Sequence, residues 1–204
     1  MVKREKQIYS LIPLEDFKTI LNVDDREERT ARFCLIASTL SIERYCKRHL
    51  LRKKHFEHVE FFGDLNIPLS EYPVNEILAV YLFGNGEILE PEFYNLIPER
   101  GTDYDLPFCL TLSPALKRYS NITSIKTVYL AGYAMETAAT MPPVPADLSA
   151  ACLELASWNM RRYRSGSIGV AGNARGSGKD GGHYELSMPE NIRLLLEPYR
   201  RKTI

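Results

Sequence analysis

Glu76-Ile77-Leu78-Ala79-Val80-Tyr81-Leu82-Phe83, followed at once by Gly84-Asn85-Gly86, lies near the middle of the 204-residue chain, and its reading decides the fold. The first eight residues are almost wholly apolar and rich in β-branched and aromatic side chains, which suits a strand. The glycines around Asn85 form a turn signal, and they predict a hairpin with the next β-prone segment, Glu92 to Pro98. Further short strands are expected on either side. Lys53 to Phe62 alternates and is aromatic-rich, and Phe108 to Leu112 and Ser124 to Tyr133 continue the series. Prolines 68, 73, 91, 98, 107 and 114 mark loops and edges, because proline cannot donate to a sheet ladder. The centre of the chain, about 52–133, therefore reads as a small antiparallel β-unit.

Helical patterns flank it. Pro13 to Leu21 predicts a short helix, with Glu15 and Asp16 near its positive end and Leu14, Phe17 and Leu21 on one face. Asn22-Val23-Asp24-Asp25 supplies a break and a cap. About 26–48 predicts a long amphipathic helix, with Phe33, Ile36, Ala37, Leu40 and Arg44 on one stripe and Ile42 and Tyr45 widening it. After Pro142-Pro143-Val144-Pro145 a second long helix, about 146–164, sets Leu148, Cys152, Leu155, Ala156 and Asn159 on or beside one face, with Trp158 and Tyr163 at its border. A last helix is expected at about Pro189 to Arg200, carrying Ile192, Leu195, Leu196 and Tyr199. Gly166 to Gly182 holds seven of the twelve glycines and no aromatic residue. Such a stretch cannot bury enough apolar surface to hold itself still, so mobility is expected there. The expected architecture is α+β, one domain over 1–204: a helical core (9–51 and 143–164), the β-rich insertion (52–133), a flexible loop (165–182), and a C-terminal helix with a basic tail (183–204).

Composition excludes several function classes. Twenty-six basic and twenty-six acidic residues give zero net charge, so no whole-protein electrostatic grip on nucleic acid is indicated. No segment reaches the ~20 uninterrupted apolar residues of a membrane-spanning helix, and the basic N-terminus leads into no signal-peptide core. Cys34, Cys46, Cys109 and Cys152 have no CxxC or knuckle spacing. They read as reduced and buried, which suits synthesis in the cytoplasm.

Chemistry-bearing motifs are mostly imitations. Asn173 to Asp180 looks like a phosphate-binding loop, but Asn173 replaces the first glycine and Asp180 the magnesium-binding Ser or Thr. His55 and His58 are three apart, which in a strand puts them on opposite faces, and both read as exposed. Asp103 and Asp105 lie by a turn signal, where carboxylates serve local hydrogen bonds, and Asp24 and Asp25 are better explained as a cap. No catalytic, cofactor or metal set can be nominated. What remains is local positive charge: Arg161, Arg162, Arg164, Arg175 and Lys179, then Arg200, Arg201 and Lys202. The bland reading is a solvated face with cations at helix C-termini. The functional reading is a lining that meets phosphates or an acidic partner, multiplied by repetition around an oligomer.

The order of features resembles a known family. Leu14-Glu15-Asp16-Phe17-Lys18, the Asp24-Asp25 break, and Ser41-Ile42-Glu43-Arg44-Tyr45 in the long helix look like the start of the head–tail connector (head completion, or adaptor) proteins of tailed phages. Tyr72-Pro73-Val74-Asn75-Glu76-Ile77 is similar to the segment where that family tends to place a Pro-Val before a β-segment. Val128-Tyr129-Leu130-Ala131-Gly132-Tyr133, a loop, Val144-Pro145-Ala146-Asp147-Leu148 and a helix ending in arginines resemble the version with a β-rich insertion. The resemblance spans roughly residues 9–164. It implies a non-enzymatic structural protein of a phage or prophage, without cofactor. It further implies a ring of about twelve copies beneath the portal protein, able to form only on that template. The ring would extend the channel through which phage DNA passes without sequence specificity, and would dock a stopper or tail-completion protein. Its place would be the virion neck, assembled in the bacterial cytoplasm with no membrane involved. A stand-alone nucleic-acid-binding protein using the basic clusters is the competing expectation.

Overall fold

A computed structural model describes residues 9–83, 87–98, 107–118, 122–135, 142–166 and 188–201. The fold is α+β, and the chain divides into two compact units, residues 1–47 with 144–204, and residues 48–143. The Gly84–Gly86 turn, Asp103 and Asp105, the segment 167–187 with its glycine-rich run, and His183 lie outside the described residues.

In the helical unit, α1 (Leu14–Leu21) starts after Pro13, carries Glu15 and Asp16 in its first turn, and buries Leu14 and Phe17. Asn22 ends it in the left-handed conformation, and Val23 N–H returns to Lys18 O at 2.9 Å. The Asp24 carboxylate then accepts Arg26 N–H at 3.3 Å, opening a short 3-10 turn over Asp25–Glu27 that leads into α2 (Glu28–Cys46). The expected capping role of Asp24 is therefore met, while Asp25 pairs with Lys18 Nζ at 3.2 Å. α3 (Ala146–Arg164) follows Pro145 and buries Leu148, Ala151, Cys152, Leu155, Ala156 and Met160. α4 (Glu190–Leu196) runs on into a 3-10 turn over Glu197–Tyr199 and buries Ile192, Leu196 and Tyr199.

One expectation about α2 is overturned. Its buried residues are Ala31, Cys34, Leu35, Ser38, Thr39, Ile42, Glu43 and Cys46, whereas Phe33 is 67% and Leu40 47% exposed. Hydroxyl side chains of α2 face α3, where Thr39 Oγ1 lies 3.6 Å from Cys152 Sγ, and α3 buries the small residues Ala151, Cys152 and Ala156. The buried hydroxyls are satisfied: Asn159 Nδ2 donates to Ser38 Oγ at 3.0 Å, and Leu11 N–H donates to Thr39 Oγ1 at 3.2 Å. Ranking faces by apolar bulk selects the opposite side, because much of the buried face consists of small and hydroxyl side chains that such a ranking scores low. Cys34, Cys46 and Cys152 are buried and Cys109 partly so, and none is in a disulfide. Burial raises the Cys34, Cys109 and Cys152 thiols above their ordinary value, which keeps them protonated.

The β unit holds two three-stranded antiparallel sheets. β1 (Lys53–Glu60), β6 (Ser124–Ala131) and β3 (Val74–Phe83) form one in the order β1-β6-β3. β2 (Asn66–Pro68), β5 (Pro107–Leu112) and β4 (Tyr94–Pro98) form the other in the order β2-β5-β4. Both feed one core, with Val80, Leu82, Ile125 and Tyr129 from the first sheet and Ile67, Leu110 and Leu112 from the second. β2, only three residues long, is invisible to periodicity.

The predicted hairpin partner of β3 also changes. Glu92 to Pro98 does not return along it. Instead Leu82 N–H donates to Glu87 O at 3.0 Å and Leu89 N–H to Val80 O at 2.8 Å, with Tyr81 opposite Ile88. The return is three residues long, after which Pro91 starts a 3-10 turn that sends β4 into the second sheet. At the base of the unit, Arg52 N–H donates to Tyr133 O (3.0 Å) and Tyr133 N–H to Leu50 O (2.7 Å). Gly132 makes this clasp possible. Its φ is +111°, and a Cβ would lie 2.5 Å from the Leu51 carbonyl carbon.

Candidate functional site

The predicted basic residues are held by ordinary helix ends, and the structure separates them. α2 and α3 run antiparallel, since Glu27, just before α2, meets Arg164 at the end of α3. Arg161, Arg162 and Arg164 thus gather at one end of the helical unit. Arg200 and Arg201 sit at the other, where Arg201 N–H donates to Cys46 O at 2.8 Å. The 19 residues of α2 separate the two groups, a length of about 28 Å at 1.5 Å per residue. Arg175, Lys179 and Lys202, and the phosphate-loop imitation at 173–180, lie outside the described residues.

Several of these cations already have partners. Arg164 clasps Glu27 through two hydrogen bonds, Nε to Oε1 at 3.0 Å and the second nitrogen to Oε2 at 2.5 Å. That pairing holds the Glu27 carboxyl below its usual range and raises the Arg164 guanidinium above its own. The Arg162 guanidinium lies 4.6 Å from the Trp158 ring centre, and Arg200 lies 5.3 Å from that of Tyr45. Arg200 also reaches Glu197 at 3.2 Å, and Tyr45 Oη donates to Glu197 at 3.0 Å. Burial first and Glu197 second push the Tyr45 phenol above its ordinary value. Arg161 is exposed. The described cations form two small, partly neutralised groups at opposite ends of the unit.

A second cluster, in the β unit, escaped the sequence. His55 was expected on the surface, but it is buried at 9% exposure, its ring 5.7 Å from that of His49 and 5.6 Å from that of Tyr129. Glu71 accepts His49 N–H at 2.7 Å, and Glu71 N–H donates to Tyr129 Oη at 3.2 Å. Arg48, 4% exposed, donates to Tyr72 O at 3.0 Å and stacks 3.8 Å over the Tyr72 ring. Burial, then the nearby Glu57 charge, hold the Tyr129 phenol far above its ordinary value, so it keeps its proton. These contacts tie residues 70–73, including the cis Tyr72–Pro73 bond, to the sheet. Strand parity sets His55 and His58 on opposite faces, but it does not say which face turns inward. In β1 the inward residues are His55, Glu57 and Val59, and the outward ones Lys54, Phe56, His58 and Glu60.

Among the described residues, no three His, Cys, Asp or Glu side chains are placed to hold a metal ion, and no helix is long and apolar enough to cross a membrane.

Comparison with known proteins is informative only at the level of structure. No protein-family model matches the chain, and no curated protein matches it by sequence. Among solved structures, the chain is similar to one from the neck of an empty gene transfer agent particle computed with C6 symmetry. The TM-score there is 0.57 at 16% identity, covering 98% of this chain and 96% of that one. A chain from the neck of the native particle, computed with C12 symmetry, gives 0.58 at 15% identity, with coverage of 100% and 97%. One from the virion of the native particle gives 0.60 at 15% identity, with coverage of 98% and 94%. The fold, end to end, is that of these chains.

Proposed function

We propose that the chain is a structural subunit of the neck of a tailed phage or phage-like particle, a head–tail connector that works as a ring and performs no reaction. The observation that carries this reading is the end-to-end fold likeness to chains of neck assemblies treated with C6 and C12 symmetry. The order of motifs along residues 9–164 supports it independently. In this reading about twelve copies assemble beneath the portal protein, closing by a head-to-tail contact. The ring continues the DNA channel and presents a docking surface to a stopper or tail-completion protein, within a neck built in the bacterial cytoplasm. Arg161, Arg162 and Arg164 at one end of the helical unit, and Arg200 with Arg201 at the other, are candidate contacts to partner or passing DNA, along with Arg175, Lys179 and Lys202. A single copy offers each group only a few charges. Repetition around a ring turns that into a band able to meet phosphates without reading sequence.

The test is a native mass measurement of the full chain at high concentration, with and without purified portal. One defined multimer on the portal is expected, together with negligible DNA affinity of the isolated chain. Tight, salt-dependent DNA binding by the monomer and no multimer on the portal would favour the nucleic-acid-binding alternative instead.

A further inference from the structure

The β1-β6-β3 sheet has unlike edges. From His55 to Glu99 the sequence contains nine acidic residues and no lysine or arginine, whereas Arg52-Lys53-Lys54 stands immediately before it. The fold sets Lys53 and Lys54 at the start of one edge strand, whose far end carries Glu57 and Glu60, and sets Glu87 and Glu90 along the opposite border. β1 is an edge strand, with β6 on one side of it. Arg52 precedes it, Lys53 and Lys54 open it, and its outer face shows Phe56 at 60% exposure. Lys54 Nζ lies 5.1 Å from the Phe56 ring centre and Lys126 Nζ, from β6, 5.6 Å, so cations rim an exposed aromatic ring. The opposite border is the short return beside β3. There Ile88 is 63% exposed, and Glu87, Glu90 and Glu92 are exposed around it. Three strand spacings, about 14 Å, separate the borders.

Each border thus has the make-up of half an interface, an exposed apolar anchor with charges of one sign nearest it, Lys54 and Lys126 at Phe56 and Glu87 and Glu90 beside Ile88, and the two signs are opposite. Two complementary surfaces at opposite edges of one sheet are what a head-to-tail contact needs, and repetition of such a contact closes a ring. We infer that the β1 border of one copy, centred on Phe56 and Lys54, binds the Ile88 border of a second copy of this chain, rimmed by Glu90 and Glu92. This rests on the ring reading above and names the surfaces through which it closes.

Charge exchange tests it on the full chain, with purified portal present. In one variant Arg52→Glu and Lys54→Glu make both borders acidic; in the other Glu90→Lys and Glu92→Lys make both basic. All four side chains are exposed, so each variant should keep the wild-type melting temperature. By native mass, wild type should give the portal-bound multimer, and each variant alone should lose it at least tenfold. An equimolar mixture should restore it as alternating copies, since every contact again joins unlike borders. Variants that form the multimer unaided, or a mixture that stays dissociated, overturn the inference while the ring reading stands. A wild-type chain that forms no multimer on the portal overturns the ring reading, and this inference with it.

Discussion

Gly132 occupies a backbone state that other residues rarely adopt, and its α-carbon faces the main chain of Leu51 and Arg52 at a distance that leaves no room for a methyl group. Gly132→Ala should therefore cost about 3 kcal/mol, combining a strained φ with a clash against backbone that cannot swing away. A fall of several degrees in the melting midpoint would register it. Charge at Glu28 gives a second prediction. Hydrogen bonds from Lys18 and then Arg32 hold its carboxyl below the ordinary 4.5, and Arg164 does the same for Glu27. A depressed carboxylate contributes stability above its unfolded value and loses it as pH falls through the folded one. Urea midpoints should therefore drop below about pH 4.5, and Glu28→Gln should flatten part of that slope. Lys18, raised by Glu28 and Asp25, acts in the opposite sense: its contribution is full below 10.5 and fades in strong alkali. At this scale the sequence was legible where a rule is local, as at Asp24. It failed where partners are distant in the chain, as for His55 with Tyr129.

Helix α3 illustrates what element-level reading does well. Pro145 and the closing arginines bracket it, and the predicted span 146–164 is the one observed. α2 shows the limit, because its boundaries were recovered while its inward face was not. Leu35 is fully buried and Phe33 is largely exposed. Leu35→Ala should thus cost about 2–5 kcal/mol, whereas Phe33→Ala should change stability by less than about 0.5 kcal/mol. Comparing the two denaturation midpoints separates the faces directly, and equal losses would contradict the described packing. The β3 return fails for a related reason. The glycine-rich turn announces a reversal, but how far the chain follows β3 back depends on Pro91 and on the second sheet competing for β4. Partner choice in a sheet is a tertiary decision.

At the scale of the whole molecule, the order of patterns along the chain correctly framed an α+β protein with its sheet-forming residues in one central block. What the sequence could not supply was the distribution of charge in space. The arginines near 161–164 and 200–201 look like neighbours in a list of basic clusters, yet helix geometry sends them to opposite ends of their unit. Residues 48–143 enter and leave through the paired segments Leu50–Arg52 and Gly132–Tyr133. A fragment of those residues should fold by itself, giving a cooperative thermal transition and a β-type circular dichroism spectrum; a featureless melt would count against it. The same closure bears on how such a chain can change over evolutionary time. A segment whose two ends are already stitched together behaves as a module: it can lengthen, shrink or be exchanged for another without asking the helices on either side to move their own ends.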